Sequence, residues 1–268
     1  MYRAFARVER LYQAYVLHKQ TLLELSQQHH YSMRTLQHHF DQLPDISQPE
    51  LLSENPINLL VDATFFSRHD GVLVFRANKK NLHWRFIESE SLAEMEAGLD
   101  YLDQLGYRIQ SVILDGRKGM IQLFERRYPH LPVQLCQFHQ TQIVRRYTTN
   151  NPKSDCGLAL KTLMYELTTM GQVSFVEVFE KWCDEFDLFL KERNEQGDFM
   201  HRRLRSARRS LRTNIPYLFS YKNFPEMNIP NTTSSCDGFF AHWKQKLKIH
   251  RGLRKYRRNK MVNYLLKP

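Results

Sequence analysis

The stretch that most constrains this chain is residues 57–66, I-N-L-L-V-D-A-T-F-F. It is apolar, β-branched and aromatic, too short for an ordinary helix, and closed by Asp70-Gly71, so it reads as a buried strand. One carboxylate, Asp62, sits in its middle. Burying a carboxylate is costly unless it is paired or binds a metal. A second strand-like run, residues 109–114, ends in Asp115-Gly116. Two acids carried on two apolar strands are what two-metal phosphoryl-transfer chemistry requires. The plainer alternative is that each acid caps a turn or pairs with one of the arginines.

Composition narrows the partners. The chain has 268 residues and a net charge of +11, with 42% apolar residues. That length and apolar fraction support a sizeable core in one large or two modest domains. The basic excess points to a polyanion, nucleic acid or a membrane surface. No apolar run approaches the roughly 18 residues of a spanning helix, and no signal-peptide core follows the basic start. Cys136, Cys156, Cys183 and Cys236 are too scattered for a disulfide framework, so reduced thiols and a cytoplasmic location are expected.

Around the two acids the pattern orders itself. Residues 1–45 read as helices. Phe5, Val8, Leu11, Tyr12 and Tyr15 share a face, and a short helix with Leu22 and Leu25 precedes another capped by Ser32 with Leu36 and Phe40. This suits a helix-turn-helix that exposes Arg34, Thr35, Gln37 and His38 to a groove, or a small bundle that only packs. Residues 44–56, with Pro44, Pro49 and Pro56, read as a linker. Strands are expected over 57–66, 72–77, 82–88, 109–114 and 132–136. Helices are expected after Ser91-x-x-Glu94, over 119–128 and from 138. Three strands followed by α/β crossovers form the layout of a ribonuclease-H-like mixed sheet, which sets an acid on the first strand beside one on the fourth. The expected class is thus α/β, with the first part of the core in 46–150, an all-helical insertion in 151–230, and a last core helix with a basic tail in 231–268.

Within the insertion, residues 200–213 carry Arg202, Arg203, Arg205, Arg208, Arg209 and Arg212, either a solvated face or a phosphate-contacting one. After an Asn/Thr/Ser cluster, Asp237 falls in the first turn of a helix with Phe240, Trp243 and Leu247 inward, where the helix dipole favours a carboxylate. Beyond Gly238 there are no acids, while Lys244, Lys248, Arg251 and Arg254 are among the cations crowding the tail. Such asymmetry suits the flank of a DNA backbone.

Three motifs in this order resemble the Mutator-like DDE transposases of bacterial insertion sequences. They are L-L-V-D-A-T-F around Asp62, V-I-L-D-G-R-K-G around Asp115 followed by C-Q-F-H, and P-N-T-T-S-S-C-D-G-F-F around Asp237. The resemblance runs from about Asn58 to the end. It implies metal-dependent cleavage at the ends of a mobile element and strand transfer of the 3′-OH into target DNA. Asp62, Asp115 and Asp237 would bind two Mg²⁺ or Mn²⁺ ions, with His139 of the C-x-x-H pair near the scissile DNA. Beside the resemblance, the helix-turn-helix reading and the basic runs give Arg34, Arg202, Arg205, Arg209, Lys244, Lys248, Arg251 and Arg254 as the expected DNA contacts. Transposon ends and target DNA are the expected partners, bound by at least a dimer in the bacterial nucleoid, with no membrane or small-molecule substrate.

Two departures stand out. The family's third acid is usually Glu, and Asp237 is one methylene shorter. The paired C-x-x-C motifs of a zinc ribbon, which some relatives carry at the N-terminus, are missing, so either reduced end recognition or a truncated chain is expected. Cys136 and His139 have no second ligand pair in the sequence, so they are read as structuring a strand–helix junction rather than binding zinc. A DNA-binding protein that has lost catalysis, or a cellular nuclease on the same fold, are the rival readings.

Overall fold

The apolar run with Asp62 forms strand β1, Ile57–Ser67. The structure is a computed structural model that describes residues 2–45 and 55–267. Most of the expected linker, residues 46–54, lies outside the described residues, as do the side chains of Lys118 and Asp237. Before β1 come α1 (Tyr2–Leu17), α2 (Leu22–His29) and α3 (Met33–Gln42). After it come β2 (Asp70–Ala77), β3 (Lys80–Ile87), α4 (Leu92–Gln104), β4 (Ile109–Leu114), α5 (Lys118–Arg127), β5 (Val133–Leu135) and α6 (Gln137–Thr148). Helices α7 (Asp155–Tyr165), α8 (Gln172–Glu185), α9 (Asp187–Lys191), α10 (Arg202–Leu218), α11 (Ser220–Asn223), α12 (Ser234–Ile249) and α13 (Lys255–Leu266) complete the chain.

The fold is α/β with a five-stranded mixed sheet in the order β3-β2-β1-β4-β5. β2 and β3 pair antiparallel, whereas β4 runs parallel to both β1 and β5. The chain divides into two compact units that interleave along the sequence. The first holds Met1–Leu52, Ala63–Glu90 and Ser235–Pro268; the second holds Ser53–Asp62 and Ser91–Ser234. Strand β1 therefore gives its first half to one unit and its second half to the other.

In the first unit, short helices are held by local capping. Thr21 and Glu24 cap α2 reciprocally, and the Ser32 hydroxyl accepts from the Thr35 N–H at 3.0 Å to start α3. Leu11, Tyr12, Tyr15, Leu25, Leu36 and Phe40 are buried, whereas Phe5 is half exposed. The basic segment expected as a tail forms α13 instead. Met261, Val262, Leu265 and Leu266 give it a buried side, which packs on α1 and β3. Asn81 Nδ2 donates to the Leu266 carbonyl at 2.8 Å, and Trp84 Nε1 to Asn263 Oδ1 at 2.8 Å.

In the second unit, the Ser91 hydroxyl caps α4 by accepting from the Glu94 N–H, and Met95, Leu99 and Leu102 face inward. The segment 151–230 is helical apart from an isolated β-bridge, Arg193–Phe199, and its stripe Phe175, Phe179 and Trp182 is buried. Its basic helix runs further than the sequence suggests, to Leu218 and through Pro216. Proline removes a hydrogen bond and crowds the carbonyl four residues back. Here it falls in the last turn, where burial of Ile215 and Leu218 outweighs that loss.

Candidate active site

The two strand acids are set by the pairing of β1 with β4. Asn58 lies beside Ser111, Leu59 beside Val112 and Leu60 beside Ile113, a constant offset of 53 residues. The last paired residues are Leu60 and Ile113; Asp62 lies two residues further along β1, and Asp115 two residues past Ile113, just beyond the end of β4. Paired residues of parallel strands point to the same face, as the Ser111 hydroxyl donating to Asn58 Oδ1 at 2.7 Å demonstrates. Neighbouring strands are about 4.8 Å apart. Both acids thus follow the paired stretch of two neighbouring parallel strands, toward the carboxyl end of β4, where ligands gather in open α/β sheets.

Asp115 stays accessible. Its side chain is 34% exposed, and Nε of Arg117 stands 3.9 Å from Oδ2, with Arg117 itself 51% exposed. An ion pair that long and that wet contributes little, so it does not seal the carboxylate. Asp62 is half-buried. Immediately after Asp115, the Arg117 N–H donates to the Asp115 carbonyl at 2.8 Å, and α5 begins one residue later. This tight exit leaves Gly116 against the insertion. A Cβ on Gly116 would stand 3.0 Å from Nδ2 of Asn214, a buried residue of α10.

Cys136 and His139 sit beside the same strand end. The Cys136 N–H donates to the Leu114 carbonyl at 2.9 Å, one residue before Asp115. Its buried Sγ accepts from the Thr233 N–H at 3.3 Å and the Thr233 hydroxyl at 3.4 Å. The same hydroxyl lies 3.4 Å from Nδ1 of His139. Burial alone would push the thiol up, but hydrogen bonds from His139 and Thr233 hold it below the ordinary range. The Asn231 carbonyl accepts from the Gln137 N–H at 3.0 Å, so residues 231–233 are stitched to the start of α6. The N-T-T run had signalled only a loop of capping residues; its tie to Cys136 depends on a contact 97 residues apart in sequence.

Asp237 lies in the first turn of α12, as the sequence implies, and its side chain is outside the described residues. Phe240 and Trp243 are buried and Leu247 is half-buried. Among the described residues no three His, Cys, Asp or Glu side chains stand close enough to hold a metal. The donor set nevertheless discriminates. Two adjacent carboxylates suit Mg²⁺, which takes one or two carboxylates and keeps waters or substrate oxygens. Cys136 and His139, with the sulfur occupied by Thr233, do not make the closed four-ligand site that structural zinc requires.

The expected DNA-contacting cations are scattered over both units. Arg34 and His38 are exposed on α3, Lys244 is half-buried, and Lys248, Arg251 and Arg254 are exposed. Arg202 pairs with Asp198 at 2.5 Å, Arg205 donates to the Leu190 carbonyl at 3.0 Å, and Arg209 is exposed. Lys246 turns inward, and burial first, then the charge of Lys19, draws its pKa down. Comparison with protein-family models gives no match, and comparison with curated proteins gives none either. No described helix is long and apolar enough to cross a membrane.

Proposed function

We propose that this chain is a DNA transposase of the DDE type, similar to the Mutator-like enzymes of bacterial insertion sequences. The observation that supports this reading is the parallel pairing of β1 with β4, the strand that holds Asp62 and the strand that leads into Asp115. The strand order, an antiparallel hairpin followed by parallel crossovers, supports a ribonuclease-H-like core. The cluster of Cys136, His139 and Thr233, next to the exit of β4, supports the same assignment.

In this reading Asp62 and Asp115 hold oxygen-liganded divalent cations, with Asp237 as the third acid. Two bound Mg²⁺ or Mn²⁺ ions supply Lewis-acid polarisation of the scissile phosphate and ready sources of water-derived and 3′-OH nucleophiles. The Asp115 side chain is 34% exposed, so a cation can reach it from solvent. His139 lies on the first turn of α6, oriented by the Thr233 hydroxyl toward the DNA that approaches the acids. Arg34 and the α3 surface supply end recognition, and the basic side chains of α10, α12 and the segment after it hold backbone. No serine or tyrosine nucleophile is needed. Strand transfer joins two element ends to one target, so the working form is at least a dimer on DNA.

A second reading, a DNA-binding protein without catalysis, is favoured by Asp237 standing where the family has Glu. A strand-transfer assay on duplexes ending in the element's inverted repeats, with Mg²⁺ or Mn²⁺, separates the two. The transposase reading expects cleavage and joining by the wild type, and loss of both in Asp62→Asn and Asp115→Asn with DNA binding kept. A wild type that binds the ends but behaves like Asp62→Asn sinks the enzyme.

A further inference from the structure

Helix α10 buries Leu204, Ala207, Leu211, Asn214, Ile215 and Leu218 on one side. Toward the other lie Arg205, Arg208, Arg209, Arg212 and Thr213, which together line an open depression of about 230 Å³. The spacing i, i+3, i+4, i+7, i+8 gathers all five on one stripe of the helix. Four like charges so close repel one another, which disfavours the arrangement unless an anion lies among them.

The acids around the stripe compensate it only in part. Asp187 Oδ1 lies 3.6 Å from Arg208, and Asp187 also pairs with Lys191 at 2.5 Å. Glu180 Oε2 meets Arg212 at 2.6 Å. Four guanidiniums thus face two carboxylates. Arg209 is exposed and forms no ion pair among the described residues. Two of the guanidiniums are held in advance. Arg205 donates to the Leu190 carbonyl and lies 3.5 Å over the Phe199 ring, and Arg208 is only 19% exposed. Fixed guanidinium forks are suited to phosphate oxygens, and a rigid arginine loses less entropy on binding than a loose one.

We propose that this depression grips successive phosphates of a DNA backbone, independent of base sequence. The inference rests on the DNA reading above and narrows it. Within the basic run it selects Arg205, Arg208, Arg209 and Arg212, joins Thr213 to them, and leaves out Arg202, which Asp198 occupies. From Arg205 to Arg212 the helix rises about 10 Å. Phosphates of one strand advance about 3.4 Å each along the duplex, so the footprint is about three phosphates. Contacts to phosphate oxygens position a duplex and carry no sequence information directly.

The test is duplex binding by the full chain, followed by fluorescence anisotropy across a salt titration on two unrelated sequences. Arg209→Gln/Arg212→Gln removes two exposed cations and is expected to leave the melting temperature in place. Each lost phosphate contact lowers the salt slope by about 0.9, so the slope is expected to fall by about 2 for both duplexes, with affinity down on the order of tenfold at physiological salt. Glu180→Gln releases Arg212 and is expected to tighten binding severalfold. If the wild type binds duplex and all variants keep its slope, the depression has no part in binding and the inference falls while the DNA reading stands. If the wild type binds no duplex at all, the DNA reading fails first. Stabilisation of the wild type by inorganic pyrophosphate, without duplex binding, would assign the depression to a small phosphate ligand and overturn the backbone assignment.

Discussion

The amide of Asn214 occupies the space in which Gly116 would otherwise carry a side chain: an added Cβ would lie 3.0 Å from Nδ2. Asn214 cannot retreat easily, because that nitrogen donates to Gln140 Oε1 at 2.7 Å inside the molecule. The residue after a candidate catalytic acid is thereby fitted against the helical insertion.

Gly116→Ala is expected to destabilise the protein by about 1–3 kcal/mol, the usual range for overpacking a tight site. Asn214→Ala is expected to lose a buried hydrogen bond but to relieve the crowding. Urea unfolding of both single variants and the double variant reads the coupling. Strict additivity would show that the two residues do not meet in solution.

A tie of another kind closes the first unit. The Asp41 carboxylate, at the end of α3, accepts from Arg257 Nε at 2.9 Å and from Nη2 at 2.7 Å, and Lys260 donates to the Asp41 carbonyl at 2.9 Å. The Arg257 hydrogen bond holds the Asp41 carboxyl below its ordinary value of 3.8. Both side chains are about three-quarters buried. Asp41→Ala is expected to cost about 2 kcal/mol, as for hydrogen bonds to a charged group. Glu96→Ala, which breaks an exposed pair with Arg126, is expected to cost less than about 0.5 kcal/mol. Because the folded pKa is depressed, the contribution of Asp41 is full above pH 3.8 and fades as pH falls through the folded value. An Asp41→Ala penalty that persists undiminished in strong acid contradicts this account.

His83 predicts an acid response in the opposite kind of group. Burial first, and then the nearby Arg85 charge, draws its pKa from 6.5 to about 4. The unfolded imidazole takes up its proton near pH 6.5, while the folded one resists until about pH 4. The unfolded state therefore binds more protons in that window, and stability falls as pH falls across it. His83→Phe is expected to flatten the decline in urea midpoints between pH 6.5 and 4. An unchanged pH slope would remove His83 from the account.

The strands with their acids were legible because short apolar runs with Asp-Gly punctuation leave few alternatives; β4 begins and ends where the pattern says, whereas Asp70 and Gly71, read as closing the first run, open β2 and the turn falls at Arg68 and His69. The caps at Ser32 and Ser91 were equally local. The α13 helix was hidden by its own charges: Arg257, Arg258 and Lys260 look like a solvated tail until Asp41 and Asp70 are found opposite them. The neighbour of Gly116 and the partner of Cys136 were out of reach, since each lies roughly a hundred residues away along the chain. The arginine stripe was visible as a run, but the anchoring of Arg205 depends on Leu190 and Phe199, which no spacing connects to it.

Helix α13 lies against α1 and the edge strand β3, and its Leu266 carbonyl caps a buried asparagine amide. The packing of α1 is therefore completed only once residues 255–266 have been made. A chain stopped before residue 255 is accordingly expected to leave apolar side chains of α1 and β3 uncovered and open to proteolysis.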